Sequence, residues 1–399
     1  MTESEKFVYS LSQVAFLDLW SHPNPIGKKK DKELCDVLAV CGNQIIVISV
    51  KHIEVPRKGD PELEDQRWLR RAIDDSVKQL YGAERILKLK DKIQLKDSDI
   101  FIELPDKKAR VIHRIAVAVG RGKRHSLKFG DFGKGFVHVF DEESIHSVLT
   151  ELDTITDFLT YLEAKERLII SGTYPVYSTE NYLLSWYILS NKSFEEIENK
   201  DVMIFGDDLW EGMKSDEMYI RLKESQKISY FWDEIIETFT QDHLNNELLI
   251  PIERNTLDKS IRLMAMESRF GRQVLSEIIL DFIGYETEIT AESRIMISHT
   301  NPNVIYVLLL REPNSNNREQ KVHELMLRCH AAREVLGRGD YVIGLGIGEF
   351  KSRGYSYDMC SIDTRIWNES DQKFAKGIVR ELGFYKNAKK HDRTFNEIR

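Results

Sequence analysis

The stretch ELCDVLAVCGNQIIVISVK, residues 33–51, decides how the first third of the chain folds. It holds two apolar runs of strand length, CDVLAV (35–40) and IIVISV (45–50), with Gly42 and Asn43 between them. Glycine and asparagine are typical of tight turns because both tolerate a positive φ. The pattern therefore predicts an antiparallel β-hairpin.

Two charged residues stand at the ends of these apolar runs. Asp36 lies early in the first run and Lys51 directly follows the second. An ionised side chain next to a buried strand is costly unless it is exposed or paired. Adjacent antiparallel strands can bring the two groups together at one end of the sheet. Taken alone, Lys51 is equally well explained as an ordinary strand-end lysine, and the pairing with Asp36 favours a site.

The segments around the hairpin predict an α/β layer arrangement. Apolar residues at helical spacing indicate a helix over about 7–20 and a longer one over about 64–89. Two further strands are predicted at VIHRIAVAV (111–119) and GFVHVF (135–140). The order of helix, hairpin, helix and strands is that of a sheet covered by helices.

This arrangement resembles the PD-(D/E)XK, or restriction-endonuclease-like, nuclease superfamily over about residues 5–140. Asp36 matches the Asp of the motif and Lys51 its Lys. The resemblance implies a mixed sheet flanked by helices, bound Mg²⁺ or Mn²⁺, and hydrolysis of nucleic-acid phosphodiesters. It also implies that the carbonyl of Val50, at the x position of the motif, is a metal ligand.

One position departs from the motif, because Ser49 stands where the family has an acid. A hydroxyl cannot supply the charge of a carboxylate to a Mg²⁺ site. Either another carboxylate replaces it or the site is inactive. Glu33 is the nearest supplier, and Asp75 on the following helix, one turn before Gln79, is another.

The candidate residues divide into three groups. The catalytic candidates are Asp36, Lys51, Glu33 and Ser49. The metal ligands expected from the resemblance are Asp36, Glu33 and the Val50 carbonyl. The expected nucleic-acid contacts come from the helix after the hairpin and from a basic segment at 107–134, and are Arg67, Arg71, Gln79, Arg121, Lys123 and Arg124.

The basic residues have a plainer explanation. Pairs at i,i+4 spacing, such as Arg70 with Asp74 and Arg71 with Asp75, stabilise a helix without any ligand. Charge runs are usually solvated surface. Both interpretations of these residues therefore stay open at the level of sequence.

The remainder of the chain predicts two further regions. We expect a nuclease-like domain at 1–170, a mostly helical connecting region at 171–290 and a C-terminal α/β domain at 291–399. Within the first domain, the start signal DEES (141–144) predicts a helix from about Ser144 to Tyr161.

The C-terminal domain is expected to alternate strands and one helix. Strands are predicted at 295–298, 304–310, 341–347 and 357–363, with a helix over 319–336. The glycines of GLGIG (344–348) lie inside a strand with no helix following, so they indicate close strand packing rather than a dinucleotide loop.

Composition limits the classes of protein to consider. The chain has a formal net charge of -8, which argues against a whole surface that binds nucleic acid. Its four cysteines form no CxxC pair, and no apolar run approaches the length of a membrane span. We therefore expect a cytoplasmic protein with no membrane contact. Because its basic residues are confined to one region, we also expect that a second copy or a companion subunit is needed to span a duplex.

These observations predict a metal-dependent nuclease with DNA as the expected substrate. The line ELDTITDFLTYLEAKERL (151–168), with the hairpin, resembles superfamily members found near bacterial anti-phage genes, which implies antiviral defence. Ser49 supports the alternative, a catalytically inactive nuclease fold that binds nucleic acid or assembles a defence complex.

Overall fold

The protein is described by a computed structural model that covers residues 1–17, 20–27, 33–54, 60–96, 101–120, 129–176, 179–206, 208–245, 254–284, 293–311, 318–350, 354–386 and 388. Two compact units are present, Met1–Arg221 (the N-terminal unit) and Leu222–Arg399 (the C-terminal unit). The three-part division expected from the sequence stays a prediction.

The N-terminal unit is built on a six-stranded mixed sheet of order β1-β2-β3-β6-β8-β7. Its strands are β1 (Ser21–Pro23), β2 (Val37–Cys41), β3 (Gln44–His52), β6 (Val111–Val119), β7 (Gly130–Asp131) and β8 (Phe136–Asp141). β1, β2 and β3 are antiparallel, β3, β6 and β8 are parallel, and β7 pairs antiparallel with β8. The expected mixed sheet is confirmed.

The predicted hairpin is confirmed as β2 and β3. Val37 pairs with Ile48 and Cys41 with Gln44, and Gly42 takes a φ of 60° in the turn. Every residue of β2 is buried, since helices cover the sheet. This burial explains why both strands are apolar runs rather than alternating ones.

Helices flank the sheet. The helices of this unit are α1 (Glu3–Phe16), α2 (Pro61–Leu69), α3 (Asp75–Leu89), α4 (Glu142–Glu151), α5 (Ile155–Ile170), α6 (Glu180–Leu189) and α7 (Leu209–Ser215). α3 packs against β3 and β6, α1 against β1, β2 and β3, and α4 against β6 and β8. Two-stranded sheets are formed by β4 (Lys92–Gln94) with β5 (Phe101–Glu103) and by β9 (Tyr174–Val176) with β10 (Val202–Ile204).

Three predicted helices differ in their bounds. The first begins at Glu3 rather than near residue 7, because Thr2 and Glu5 form a capping box. The helix predicted over 64–89 is α2 and α3 joined by a π-helical turn, Arg70–Asp74. The helix predicted from Ser144 to Tyr161 is two helices, since α4 ends at Glu151 and Thr154 caps α5.

The C-terminal unit carries a second sheet. Four strands lie in the order β11 (Ser293–Ile297), β12 (Val304–Arg311), β13 (Tyr341–Phe350) and β14 (Gly354–Asp363). The helices that complete the chain are α8 (Glu217–Gln226), α9 (Tyr230–Asn245), α10 (Arg254–Ala265), α11 (Arg269–Gly284), α12 (Arg318–Leu336) and α13 (Glu369–Leu382), with a short 3₁₀ turn at Lys227–Ser229. The predicted alternation of strands and one helix is confirmed, and α13 was not predicted.

The glycines of GLGIG lie inside β13, as predicted. A β-carbon on Gly344 would meet the Sγ atoms of Cys360 at 2.6 Å and Cys329 at 2.7 Å, so close packing requires glycine there. None of the helices in the described ranges is both long and apolar enough to cross a lipid bilayer.

Candidate functional site

Asp36 lies in the last position before β2 and is 3% exposed. Its backbone N–H donates to the Ile48 carbonyl at 3.0 Å, and its Oδ2 accepts from the Val50 N–H at 2.6 Å. The carboxylate therefore continues the hydrogen-bond ladder to β3 where a backbone carbonyl would otherwise lie. Within the described residues Oδ1 accepts no hydrogen bond, so one oxygen of a buried acid is left for another ligand.

The electrostatic surroundings of Asp36 are mixed. Burial raises the pKa of its carboxyl above the usual value, while the charge of Lys51 and the Val50 N–H oppose that rise. The nearby charges of Glu5 and Glu33 raise this pKa further. Lys51 is thus close enough to act on Asp36, but the positive charge it supplies does not balance the burial and the two acids. An added cation would lower this pKa and favour the ionised carboxylate.

Ser49 and Lys51 are two residues apart on β3 and so project on the same face of the sheet. Ser49 is fully buried, and its hydroxyl donates to Oε1 of Gln79 on α3 at 3.0 Å. Beside them on β6 lie alanines, with Ala116 paired to Ser49 and Ala118 to Lys51. The side chains next to the polar pair on β6 are therefore small.

Lys51 is partly exposed and makes no ion pair with any described residue. It acts on a second acid, Asp75, at the start of α3. The Lys78 ammonium, 2.9 Å from Asp75 Oδ1, is the main reason that the pKa of Asp75 is lowered, and the charge of Lys51 contributes. The ammonium of Lys51 therefore influences one buried and one exposed carboxylate.

Glu33 lies close to this cluster but is already engaged. Its Oε1 is 2.7 Å from Nζ of Lys96, and both side chains are partly exposed. Its charge nevertheless raises the pKa of Asp36, which indicates proximity. Its expected role as a metal ligand stays a prediction.

The end of the β2–β3 hairpin that carries Asp36, Ser49 and Lys51 is called the hairpin end. The sequence did not predict three features around it. Glu5 of α1 acts on Asp36, and the Ser4 hydroxyl is 2.8 Å from Nδ1 of His52, which ties α1 to the last residue of β3. The pattern Thr-x-x-Glu at 2–5 was the available signal for the helix start. The π-helical turn at Arg70–Asp74 packs against β3 and had no signal in the periodicity. Such turns are frequent at functional sites.

The expected nucleic-acid contacts are only partly placed. Arg67 and Arg71 are exposed, and Gln79 is half-buried beside Ser49. Arg121, Lys123 and Arg124 lie outside the described residues.

Two other cations of the basic segment are structural. Arg110 donates to backbone carbonyls of Pro105, Leu87 and Lys90. Arg114 donates to Oε2 of Glu84 and to the Phe136 carbonyl. These two arginines therefore hold loops and strands together rather than facing a ligand.

The oxygen donors at the hairpin end suit an open Mg²⁺ site better than they suit a metal centre that is enclosed by protein ligands. Asp36 Oδ1 is available as a ligand, and the other oxygen donors nearby are Glu33 and the Val50 carbonyl. No cluster of three or more His, Cys, Asp or Glu suited to a metal occurs in the ranges that the structure describes. Mg²⁺ is commonly held by one or two carboxylates, with water and substrate phosphate completing its shell. Carboxylate and carbonyl oxygens are the type of ligand that Mg²⁺ takes.

No family model, curated protein or solved structure matches this chain.

Proposed function

We propose that the hairpin end is the active site of a metal-dependent nuclease that hydrolyses phosphodiester bonds, with DNA as substrate. The observation that carries the proposal is the environment of Asp36. This buried carboxylate has one oxygen with no partner among the described residues, a raised pKa, and the Lys51 ammonium within electrostatic reach. A perturbed acid with a specific charged partner is a functional candidate on physical grounds.

In this proposal Asp36, Glu33 and the Val50 carbonyl hold Mg²⁺ or Mn²⁺. When bound, the ion supplies Lewis acidity toward the scissile phosphate and toward water. Lys51 positions the attacking water and offsets negative charge that grows on the phosphate oxygens. The Ser49 hydroxyl fixes Gln79, whose Oε1 it contacts at 3.0 Å, so that the amide faces the same end of the sheet.

The wider setting of the proposal rests on the sequence resemblance alone. We extend it to antiviral defence in the cytoplasm, with a second copy or a companion subunit completing the grip on a duplex. The overall charge of -8 supports the need for such a partner, because an acidic surface repels the phosphate backbone outside local basic patches.

A second candidate function is favoured by Ser49. Its hydroxyl replaces the acid of the motif and is occupied by Gln79. A nuclease fold that is retained only for binding or assembly needs no metal ion. A hydrogen bond can therefore replace the metal ligand at position 49. In that case Asp36 acts only as a cap for the Val50 N–H.

The test is cleavage of supercoiled plasmid with Mg²⁺ or Mn²⁺ by the parent protein and by Asp36→Ala and Lys51→Ala variants. We expect each substitution to lower the cleavage rate by at least about 10²-fold, the usual effect of removing a group that stabilises the transition state. Circular dichroism of each variant establishes that the fold is kept.

The two candidates give different results. Cleavage that both substitutions abolish supports the nuclease. A parent protein that retards DNA on a gel but never cleaves it, with either metal, supports the binding subunit. Cleavage that survives both substitutions excludes the hairpin end as the active site.

A further inference from the structure

The exposed face of α3 forms one wall of a concavity of about 660 Å³. Its other wall includes Lys134, just before β8. The residues that line it are Lys78, Tyr81, Gly82, Glu84, Arg85, Lys88, Leu89 and Lys134. None of them belongs to the proposed catalytic or metal-binding residues.

The residues that line this concavity carry more positive than negative charge. Four of the lining residues are cations and only Glu84 is an acid. Glu84 is already neutralised by Arg114 and by Lys88 at 2.7 Å, which hold the pKa of its carboxyl low against the effect of burial. Arg85 and Lys134 are exposed and make no ion pair with any described residue. The lining therefore presents available positive charge within an acidic chain.

The walls are held in place before any ligand arrives. The Tyr81 hydroxyl donates to the Gly135 carbonyl at 2.7 Å, which ties α3 to the residue before β8. The Arg114 guanidinium lies 5.8 Å from the centre of the Tyr81 ring. A preformed concavity loses less conformational freedom on binding than a flexible one.

Gly82 has no packing reason to be glycine. It lies inside α3, where glycine is less favourable than alanine, and a β-carbon there would meet no atom within 4 Å. Its φ is not in the positive range that favours glycine. Glycine is also used where a ligand approaches the backbone closely. The open space at Gly82 belongs to the concavity, so a larger side chain at this position would occupy part of it.

One end of the concavity, at Lys78, lies within one helical turn of the α3 residues that interact with the hairpin end. Lys78 contacts Asp75, on which Lys51 acts, and Gln79 contacts Ser49. The helix rises about 15 Å from Lys78 to Lys88 at about 1.5 Å per residue. That length equals the rise of about four base pairs along the axis of a DNA duplex, at about 3.4 Å each.

We propose that this concavity, the α3 groove, binds the sugar–phosphate backbone of a nucleic-acid strand and leads it to Asp36 and Lys51. The direction of the strand toward that site rests on the proposed nuclease function. The binding itself does not, because it depends only on the groove residues.

The experiment measures the affinity of the full chain for a fluorescein-labelled DNA duplex by anisotropy, over a salt series with EDTA present so that no cleavage occurs. The groove variant is Arg85→Gln with Lys134→Gln. The matched control is Lys200→Gln with Lys376→Gln, which removes the same charge from exposed lysines outside the groove. The logarithm of the association constant decreases linearly with the logarithm of the salt concentration. We expect the steepness of this line to decrease by about 1.8 in the groove variant, about 0.9 for each phosphate that is no longer neutralised. We expect it to stay unchanged in the control.

A steric pair gives an independent readout. Gly82→Gln places a neutral side chain in the groove, and Gly377→Gln makes the same change in α13, where a β-carbon also meets no atom within 4 Å. We expect about tenfold weaker DNA binding for Gly82→Gln and no change for Gly377→Gln. Equal effects in both members of either pair, or no DNA binding by the parent at low salt, overturn the proposal.

The failure of each proposal can be told apart. Asp36→Ala is expected to bind DNA with the affinity and salt slope of the parent. If the groove variants lose binding while the parent never cleaves, the groove stands and the nuclease function fails. If the parent cleaves but the groove variants bind normally, the nuclease stands and the groove fails.

Discussion

Two aspartates at strand ends, one in each unit, show how differently the same side chain can be used. Asp36 precedes β2 in the N-terminal unit and is buried, with one oxygen bonded only to a backbone N–H. Asp363 ends β14 in the C-terminal unit, where Arg365 contacts both of its oxygens and Lys259 contacts Oδ2 at 2.7 Å. Burial raises the pKa of Asp36, whereas the hydrogen bonds from Arg365 chiefly hold the pKa of Asp363 well below its usual range.

This difference separates a structural acid from a candidate functional one. Every oxygen of Asp363 has a cationic partner, so its charge is used within the fold. Among the described residues no cation is hydrogen-bonded to Asp36, and Lys51 acts on it only through its charge. Position at a strand end does not distinguish the two; the set of partners does.

The largest expected contrast between the two aspartates is in metal binding. We expect Mg²⁺ at about 100 times its dissociation constant to stabilise the parent by about 2.7 kcal/mol. Asp363→Asn should keep this stabilisation and Asp36→Asn should lose it, because only the latter removes a ligand. Thermal unfolding with and without Mg²⁺ measures the effect. A Mg²⁺ response that is equal in both variants would place the ion elsewhere.

A smaller effect is expected from restoring the acid of the motif. Ser49→Asp adds a carboxylate on the face of Lys51, and the charge count of a site sets its affinity for a hard cation. We expect Mg²⁺ to bind about tenfold more tightly, which corresponds to about 1.4 kcal/mol. Isothermal titration of the parent, Ser49→Asp and the isosteric control Ser49→Asn measures this. Equal affinities for Asp and Asn at this position would show that residue 49 does not face the ion.

The smallest expected effect is on stability, and its sign differs between the two aspartates. The pKa of Asp36 is higher in the folded protein than in the unfolded chain. It therefore contributes stability that is present when the pH is below the unfolded-state pKa and is lost as the pH rises through the folded-state pKa. The lowered pKa of Asp363 contributes stability above its unfolded value that is lost as the pH falls. At about pH 8 we therefore expect Asp36→Asn to be more stable than the parent. We expect Asp363→Asn to be less stable than the parent by up to about 1 kcal/mol, because the ion pairs of Asp363 with Lys259 and Arg365 are partly exposed.

The difference for Asp36→Asn should shrink toward about pH 4, near the usual pKa of an aspartate, whereas the difference for Asp363→Asn should persist there because its lowered pKa places the loss at more acidic pH. Urea unfolding at the two pH values provides the measurement. Destabilisation by Asp36→Asn at the higher pH would mean that the ionised carboxylate stabilises the fold, as a purely structural cap does.

Much of the fold could be predicted from local patterns. The hairpin followed from two apolar runs and Gly42, and the C-terminal strands followed from similar runs. The interruptions were less visible. The π-helical turn at Arg70–Asp74 keeps the apolar spacing of a helix, so periodicity could not reveal it. The break after Glu151 depends on Thr154 acting as a cap, which the stronger signal at Asp141 obscured.

The candidate site could be predicted only where its residues are near in sequence. Asp36, Ser49 and Lys51 share one hairpin, and their proximity follows from its register. The hydrogen bond from Ser49 to Gln79 and the influence of Glu5 on Asp36 join residues about 30 apart in the chain. Such contacts depend on how α1 and α3 pack on the sheet, which no local pattern contains.

The most direct test of the account is the rate of Mg²⁺-dependent DNA cleavage by the parent, Asp36→Asn and Asp363→Asn, measured side by side at neutral pH. We expect cleavage by the parent and by Asp363→Asn at rates within about twofold, and a loss of at least about 10²-fold in Asp36→Asn. Undiminished cleavage by folded Asp36→Asn would contradict the assignment of the active site to the hairpin end.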